Sequence, residues 1–295
     1  MRRKGKQRKN ENWEFSISHF QRKFQKMKIL AIGDPHGDMD ALKKINYENV
    51  DLILLPGDIG NANLIRKMAY GNINRKKEGL PEIKYSKKEE KEGFMQVYNT
   101  SMEVIKYLAG FAPVYLIFGN VELSNVKTEE DAKKKGKKIP FLADNLNAIN
   151  NVKVINNQLI EFNGIKIGGL KYFIDSSWVE KFDSKKDEDY DKKMKNAVKD
   201  TKEAKKALDG FSKIDILMCH QPPNGILDIV KNPGAPKYWQ GKHAGSKTIL
   251  KYIKKFKPKY VLCSHIHEGH GEDKIGESNV YNLGCCGHKF IEIGD

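Results

Sequence analysis

The chain has 295 residues, 39% of them hydrophobic and 31% charged, with a formal net charge of +15. Apolar runs recur along its whole length, which excludes a fully disordered chain. None approaches the ~18 consecutive apolar residues that a membrane-spanning helix needs. The four cysteines, Cys219, Cys263, Cys285 and Cys286, all fall in the last third. They are too few for a disulfide-dense scaffold. Cys219 and Cys263 end apolar runs just ahead of histidines, so they read as buried thiols in a reducing, cytoplasmic setting.

Residues 1–26 stand apart. Nine Lys and Arg meet only Glu11 and Glu14 there, a local charge of +7. The stretch lacks an apolar core, so it is not a secretory signal. It reads as a flexible basic extension ahead of one domain over 27–295, either an upstream extension of the reading frame or a nucleic-acid-binding arm. The expected strands follow in order: Ile29–Ile32, Leu52–Leu55, Val114–Phe118, Ile165–Leu170, Ile214–Cys219, Tyr260–Cys263 and Val280–Leu283. Each is a short β-branched run with Gly, Asp or Pro punctuation. Helical spacing of apolar residues covers Phe94 to Leu108 and Lys247 to Phe256. The stretch Val152 to Leu170 reads as hairpin strands turning at Asn163-Gly164. Three Lys/Glu/Asp-rich segments, Gly71–Gly93, Lys127–Ile139 and Lys181–Asp209, read as solvated helices or loops. Strand–helix alternation predicts an α/β fold with helices outside the sheets.

Polar residues concentrate at the strand ends. Ile29–Ile32 runs into Gly33-Asp34-Pro35-His36-Gly37-Asp38, and Leu52–Leu55 into Pro56-Gly57-Asp58. Val114–Phe118 runs into Gly119-Asn120-Val121-Glu122. Ile214–Cys219 runs into His220-Gln221-Pro222-Pro223, and Tyr260–Cys263 into Ser264-His265-Ile266-His267-Glu268. Ligands of α/β sheets bind beyond the carboxyl ends of strands, so five such tips can converge. Singly, each is explained by turn chemistry or by a satisfied histidine. Together they are not, because turns do not require four histidines at strand tips.

The order DxH, GD, GN, H, HxH resembles the calcineurin-like metallophosphoesterase superfamily, over about Met27 to the C-terminus. The His220-Gln221-Pro222-Pro223 stretch and the H-x-G-S residues His243, Gly245 and Ser246 resemble its phosphodiesterase-like branch. The resemblance implies two facing mixed sheets flanked by helices, a four-layer sandwich. It implies a first metal held by Asp34, His36, Asp58 and His267, and a second by Asp58, Asn120, His220 and His265, with Asp58 bridging. Imidazole with carboxylate suits Mn, Fe, Ni or Zn, manganese first. The implied reaction is attack on phosphorus by a metal-bridging hydroxide, with Asp58, Asn120 and His243 as catalytic candidates.

Two positions depart from the family. Val121 stands where a proton-donating His is usual, and losing such an acid reduces rates by roughly 10²–10⁴. The enzyme then acts on good leaving groups, or His243 supplies the proton, or the protein is a non-catalytic scaffold. Glu122 loses its usual partner, which leaves it a structural or water-mediated hydrogen bonder. Ser264 replaces a Gly; it is small enough to keep the ligand geometry, and its hydroxyl could touch a ligand, though no site role is given to it. The expected substrate is a phosphate ester, a diester ahead of a monoester, and a nucleotide is one candidate. A nuclease is an alternative, resting on the seven lysines without an acid over Lys242–Lys259. Charge alone does not separate it from a nucleotide enzyme.

Overall fold

The computed structural model describes residues 26–233, 235 and 237–294. The basic extension lies outside the described residues apart from Lys26, and the readings placed on it go no further. Side chains alternate across each strand, and here both faces of each sheet are covered. In β1 (Met27–Ile32), Ile29 and Ala31 point to one core while Leu30 and Ile32 point to another. With β2 (Leu52–Leu55), β3 (Val114–Leu116), β4 (Val152–Val154) and β11 (His288–Ile293) it forms a sheet ordered β11-β1-β2-β3-β4. The strands β1 to β4 are parallel and β11 is antiparallel to β1. The second sheet is ordered β5-β6-β7-β8-β10-β9. It comprises β5 (Gln158–Phe162), β6 (Ile165–Leu170), β7 (Ile216–Cys219), β8 (Tyr260–Cys263), β9 (Gly271–Ile275) and β10 (Ser278–Asn282). Its central strands β6, β7, β8 and β10 are parallel.

The sheets face each other across a core of Ile29, Ala31, Leu52, Leu54 and Ile117 against Ile167, Ile216, Met218 and Leu262. Outside the first sheet lie α1 (Met39–Leu42), α3 (Lys87–Leu108) and α5 (Leu142–Asn147), through Leu42, Val104, Ile105, Leu108, Leu142 and Leu146. Outside the second lie α7 (Tyr190–Phe211) and α8 (Lys247–Phe256), through Ala204, Leu208, Phe211, Ile249, Tyr252 and Ile253. The remaining helices are α2 (Asn63–Lys77), α4 (Asn120–Lys134) and α6 (Ser176–Phe182). The result is the expected four-layer α/β/β/α sandwich. Start signals match local chemistry. Ser86 and Glu89 form a reciprocal capping box on α3, and the Ser246 hydroxyl accepts from Ile249 N at 3.1 Å to cap α8.

Three elements differ from the sequence reading. The hairpin is confined to β5 and β6, turning at Asn163 (φ 49°) and Gly164 (φ 84°), whereas Val152–Val154 joins the other sheet beside β3. Asn157 (φ 55°) reverses the chain between them, a left-handed turn that Asn tolerates. As expected of a solvated helix, the segment Lys181–Asp209 contributes most of α7, which is solvated on one face and buries Ala197, Thr201, Ala204 and Leu208 on the other. Both β9 and β11 were missed, because polar and charged residues interrupt their short apolar alternation.

The close fit of the layers shows at Gly168-Gly169 in β6. A Cβ on Gly168 would meet Phe211 Cδ2 of α7 at 2.8 Å, and one on Gly169 would meet Ile155 O at 2.4 Å and Ile117 Cγ2 at 2.9 Å. Gly169→Ala is therefore expected to destabilise the fold by about 1–3 kcal/mol through overpacking. Urea unfolding should show a lower midpoint with an unchanged slope.

Candidate metal centre

Parallel strands deliver their carboxyl ends to one edge of each sheet. β1 leads into Asp34 and His36, β2 into Asp58, and β3 into Asn120 at the start of α4. β7 leads into His220, and β8 into His265 and His267. Ligand atoms of Asp34, His36 and His267 lie within 4.8 Å of one another, and so do those of Asp58, His220 and His265. Asn120 Oδ1 joins the second group, 3.0 Å from His220 Nε2. Asp58 faces both groups: Oδ1 is 3.5 Å from His220 Nε2, and Oδ2 is 4.0 Å from His36 Nε2. The structure thus places together all seven residues expected as ligands.

The backbone here is strained. Asp34 (φ 28°), His36 (φ 46°), Asp58 (φ 44°) and His265 (φ 63°) all sit at positive φ. Such conformations cost on the order of 1–3 kcal/mol each and persist only where surroundings enforce them. Main-chain bonds supply that enforcement: His36 N to Asp58 O at 3.1 Å, Gly37 N to Ile59 O at 2.8 Å, and Ser264 N to His220 O at 2.9 Å. Gly119 is required for space, since a Cβ there would lie 2.2 Å from Asp58 Oδ1.

Electrostatics follow from burial. Asp34 and Asp58 are 0% and 2% exposed. Burial opposes ionisation of Asp34, but the nearby His220, the His267 hydrogen bond at 3.0 Å and the Ser264 hydroxyl outweigh it and hold its carboxyl below the usual range. Burial, then the charges of Asp34 and Glu122, push the Asp58 carboxyl well above the usual range. Burial lowers His36 to about 4 and His265 to about 3, so both rings are neutral at neutral pH, the form in which imidazole binds a metal. His267 is raised by its bond to Asp34. Two carboxylates, four imidazoles and an amide oxygen suit divalent transition cations. The like-charge crowding on Asp58 is what a cation would relieve.

Other residues were missed or misjudged in the sequence. Arg66 of α2 reaches in, its Nη2 3.3 Å from His36 Nε2 and 3.7 Å from Asp58 Oδ2. Its only sequence signal was a position eight residues after Asp58. The Tyr172 ring packs against His220 and His265, with centroids 5.6 Å and 5.3 Å away. Ser264, to which no role was given, donates its hydroxyl to Asp34 Oδ1 at 2.5 Å. Glu122 is structural: Oε1 accepts from Ile59 N and Gly60 N at 2.8 and 3.1 Å, and Oε2 from Gly119 N at 3.1 Å. Val121 is buried against Ala62, Val97 and Ile65, while its N–H donates to Asp58 Oδ1 at 2.8 Å.

His243 contributes no atom to either cluster. Its Nδ1 pairs with Asp228 Oδ1 at 2.5 Å, and its carbonyl accepts from Lys181 Nζ at 2.6 Å. The H-x-G-S stretch instead clamps the loop after His220. Ser246 N donates to Pro222 O at 2.9 Å, and a Cβ on Gly245 would meet Pro223 O at 2.6 Å.

A family model described as calcineurin-like phosphoesterase matches residues 27–269. Two curated relatives from Caenorhabditis elegans are similar over short stretches. UPF0046 protein C25E10.12 is 35% identical over 28% of this chain and 29% of its own length, and UPF0046 protein T07D4.2 is 34% identical over 25% and 16%. The matches thus span under a third of either relative. One crystal structure aligns with 91% of this chain and 95% of its own at a TM-score of 0.56 and 16% identity, a likeness of fold. A phosphopantetheinyl hydrolase from Mycobacterium tuberculosis aligns with 88% of this chain and 89% of its own at 0.48 and 10% identity.

Because Glu122 satisfies three backbone donors of two motif loops, Glu122→Gln should leave one of them facing an amide N–H₂. The expected loss is about 1–3 kcal/mol of stability. Chemical unfolding checks this, with elemental analysis to show whether bound metal falls in parallel.

Proposed function

The chain belongs to the calcineurin-like phosphoesterase family, and from that premise we propose that it is a binuclear metal-dependent phosphodiesterase acting on esters with good leaving groups. The observation that carries this reading is Asp58, whose two oxygens face the two ligand clusters separately. Asp34, His36, Asp58 and His267 would hold one cation, and Asp58, Asn120, His220 and His265 the other. Manganese leads iron, nickel and zinc as the proposed metal. Two divalent cations held there would acidify a water and offset charge on the phosphate oxygens.

The chain's own residues supply the rest. Asn120 contributes a neutral oxygen and keeps the site from gathering a further negative charge. Arg66 is about one-third exposed beside Asp58 and His36, a fork of donors suited to phosphate oxygens. Val121 offers no proton, which supports the preference for leaving groups that depart unprotonated. The pairing of His243 with Asp228 gives it a local structural task, so its proposed role as proton donor ranks behind. The reading as a non-catalytic scaffold is disfavoured by seven assembled ligand candidates. The nuclease reading keeps only charge in its favour. Among the described residues no helix is long and apolar enough to cross a membrane. The free cysteines support the proposal of a reducing, cytoplasmic setting.

With manganese, the purified protein should hydrolyse an aryl phosphodiester faster than the matching monoester. It should favour that diester over an alkyl diester by roughly 10²–10⁴-fold. Asp58→Asn should remove this activity together with bound metal; a metal-loaded wild type no faster than that variant sinks the proposal. A purified protein that takes up no stoichiometric metal points to the scaffold instead. Arg66→Ala is expected to raise KM for the diester by about tenfold with a smaller change in kcat, the pattern of lost ground-state binding. Steady-state kinetics on metal-matched samples separates the two constants.

A further inference from the structure

We propose that Cys285 and Cys286 form a vicinal dithiol that peroxide closes to a disulfide, and that closure loosens the turn carrying Asp34 and His36. The two sulfurs lie 3.9 Å apart, Cys285 exposed and Cys286 half-buried, and both thiols are free. They sit on the loop between β10 and β11, which is tied directly to the Gly33–Asp38 turn. Cys286 N donates to Gly33 O at 2.9 Å, Gly33 N donates to Gly287 O at 2.9 Å, and Cys286 Sγ reaches Pro35 O at 3.5 Å. The fit is tight. A Cβ on Gly33 would lie 2.4 Å from Leu283 Cβ, and one on Gly284 would lie 3.3 Å from His267 O. Cys286 already sits at φ 56°, a conformation that this packing must enforce.

The oxidant is hydrogen peroxide. The exposed Cys285 thiolate attacks a peroxide oxygen, the O–O bond breaks, and a sulfenic acid forms with release of one water. The Cys286 sulfur then displaces the sulfenic oxygen, which leaves as a second water. Two thiols lose two electrons and two protons, and one peroxide gains them. Adjacent Cα atoms are about 3.8 Å apart, below the usual spacing of disulfide partners. The bond is therefore strained and readily reduced, as regulatory disulfides are. Bringing the sulfurs to bonding distance removes the Cys286 Sγ contact with Pro35. It also twists the peptide whose N–H holds Gly33. Asp34 and His36 keep their positive φ only while that turn is held.

Any loss of bound metal on oxidation would rest on the metal-centre reading, but the disulfide and the loosened turn do not. The experiment treats the full chain with hydrogen peroxide, then reads peptide masses and amide hydrogen exchange, with dithiothreitol as the reversal. The expected result is loss of two hydrogens confined to the Cys285–Cys286 peptide, and amide exchange over residues 33–37 faster by about tenfold. Both should revert on reduction, and neither should occur in Cys285→Ser. Oxygen addition without a disulfide overturns the proposal, and so does a disulfide with unchanged exchange over 33–37. Elemental analysis of the reduced protein is the separate check: absence of metal there defeats the metal-centre reading, and the exchange result still decides this one.

Discussion

Asp34 and Asp58 lie buried side by side at the ends of adjacent parallel strands, and most of the surrounding structure compensates for that burial. An isolated buried carboxylate costs several kcal/mol even after relaxation. Asp34 is met by the Ser264 hydroxyl, the His265 N–H and the His267 ring. Asp58 is met by the Val121 N–H and approached by Arg66. These partners do not balance equally. Asp34 is held ionised, whereas Asp58 is pushed towards protonation by burial and by the negative groups beside it. The site therefore gathers more negative charge at Asp58, between the two ligand clusters, than its Val121 and Arg66 partners offset. Divalent cations fit that place better than any further side chain would.

The strain at the strand tips follows from the same requirement. To aim seven candidate ligands inward from five loops, the chain turns sharply at Asp34, His36, Asp58 and His265, none of which is glycine. The scaffold tolerates this because two sheets packed on each other hold the strand ends, with covering helices on their outer faces. Glu122 contributes at long range in sequence, since one buried side chain joins the loop after β2 to the start of α4. The loop with Cys285 and Cys286 contributes on the other side, where it backs the turn after β1.

Much of this was legible in the sequence because the strands are short, apolar and buried on both faces, and because ligand-type residues follow them directly. The limits of β2, β6 and β8 needed only run length and punctuation, whereas β1 begins two residues earlier than its apolar run, at Met27. Edge strands were harder. β9 reads Gly-Glu-Asp-Lys-Ile and β11 carries His288, Lys289 and Glu292, so neither shows an apolar run. The transfer of Val152–Val154 to the first sheet depends on tertiary pairing with β3, which no local pattern encodes. At the site, residues adjacent to strand ends were visible. Arg66 and Tyr172 were not, because each acts across a gap in sequence, and for Glu122 the structural duty was legible but its partners Ile59 and Gly60 were not. His243 was singled out through the H-x-G-S resemblance, and the structure gives that stretch the task of clamping the loop after His220.

The exchange of a proton donor for valine at position 121 changes the kind of help the site can give. The Val121 side chain seals a small apolar cluster with Ala62 and Val97, while its backbone N–H, in the first turn of α4, still serves Asp58. The backbone duty of the motif is therefore kept and only the side-chain duty is dropped. The nearby cation that remains is Arg66, whose guanidinium does not deprotonate in proteins. A permanent charge can bind phosphate oxygens and stabilise charge that develops on them, but it has no proton to pass to a departing oxygen. A site built this way separates binding from leaving-group assistance. The net charge of +15 is consistent with the first, because a basic surface favours an anionic ester. The second would then fall to the substrate itself, which is the basis of the proposed preference for good leaving groups.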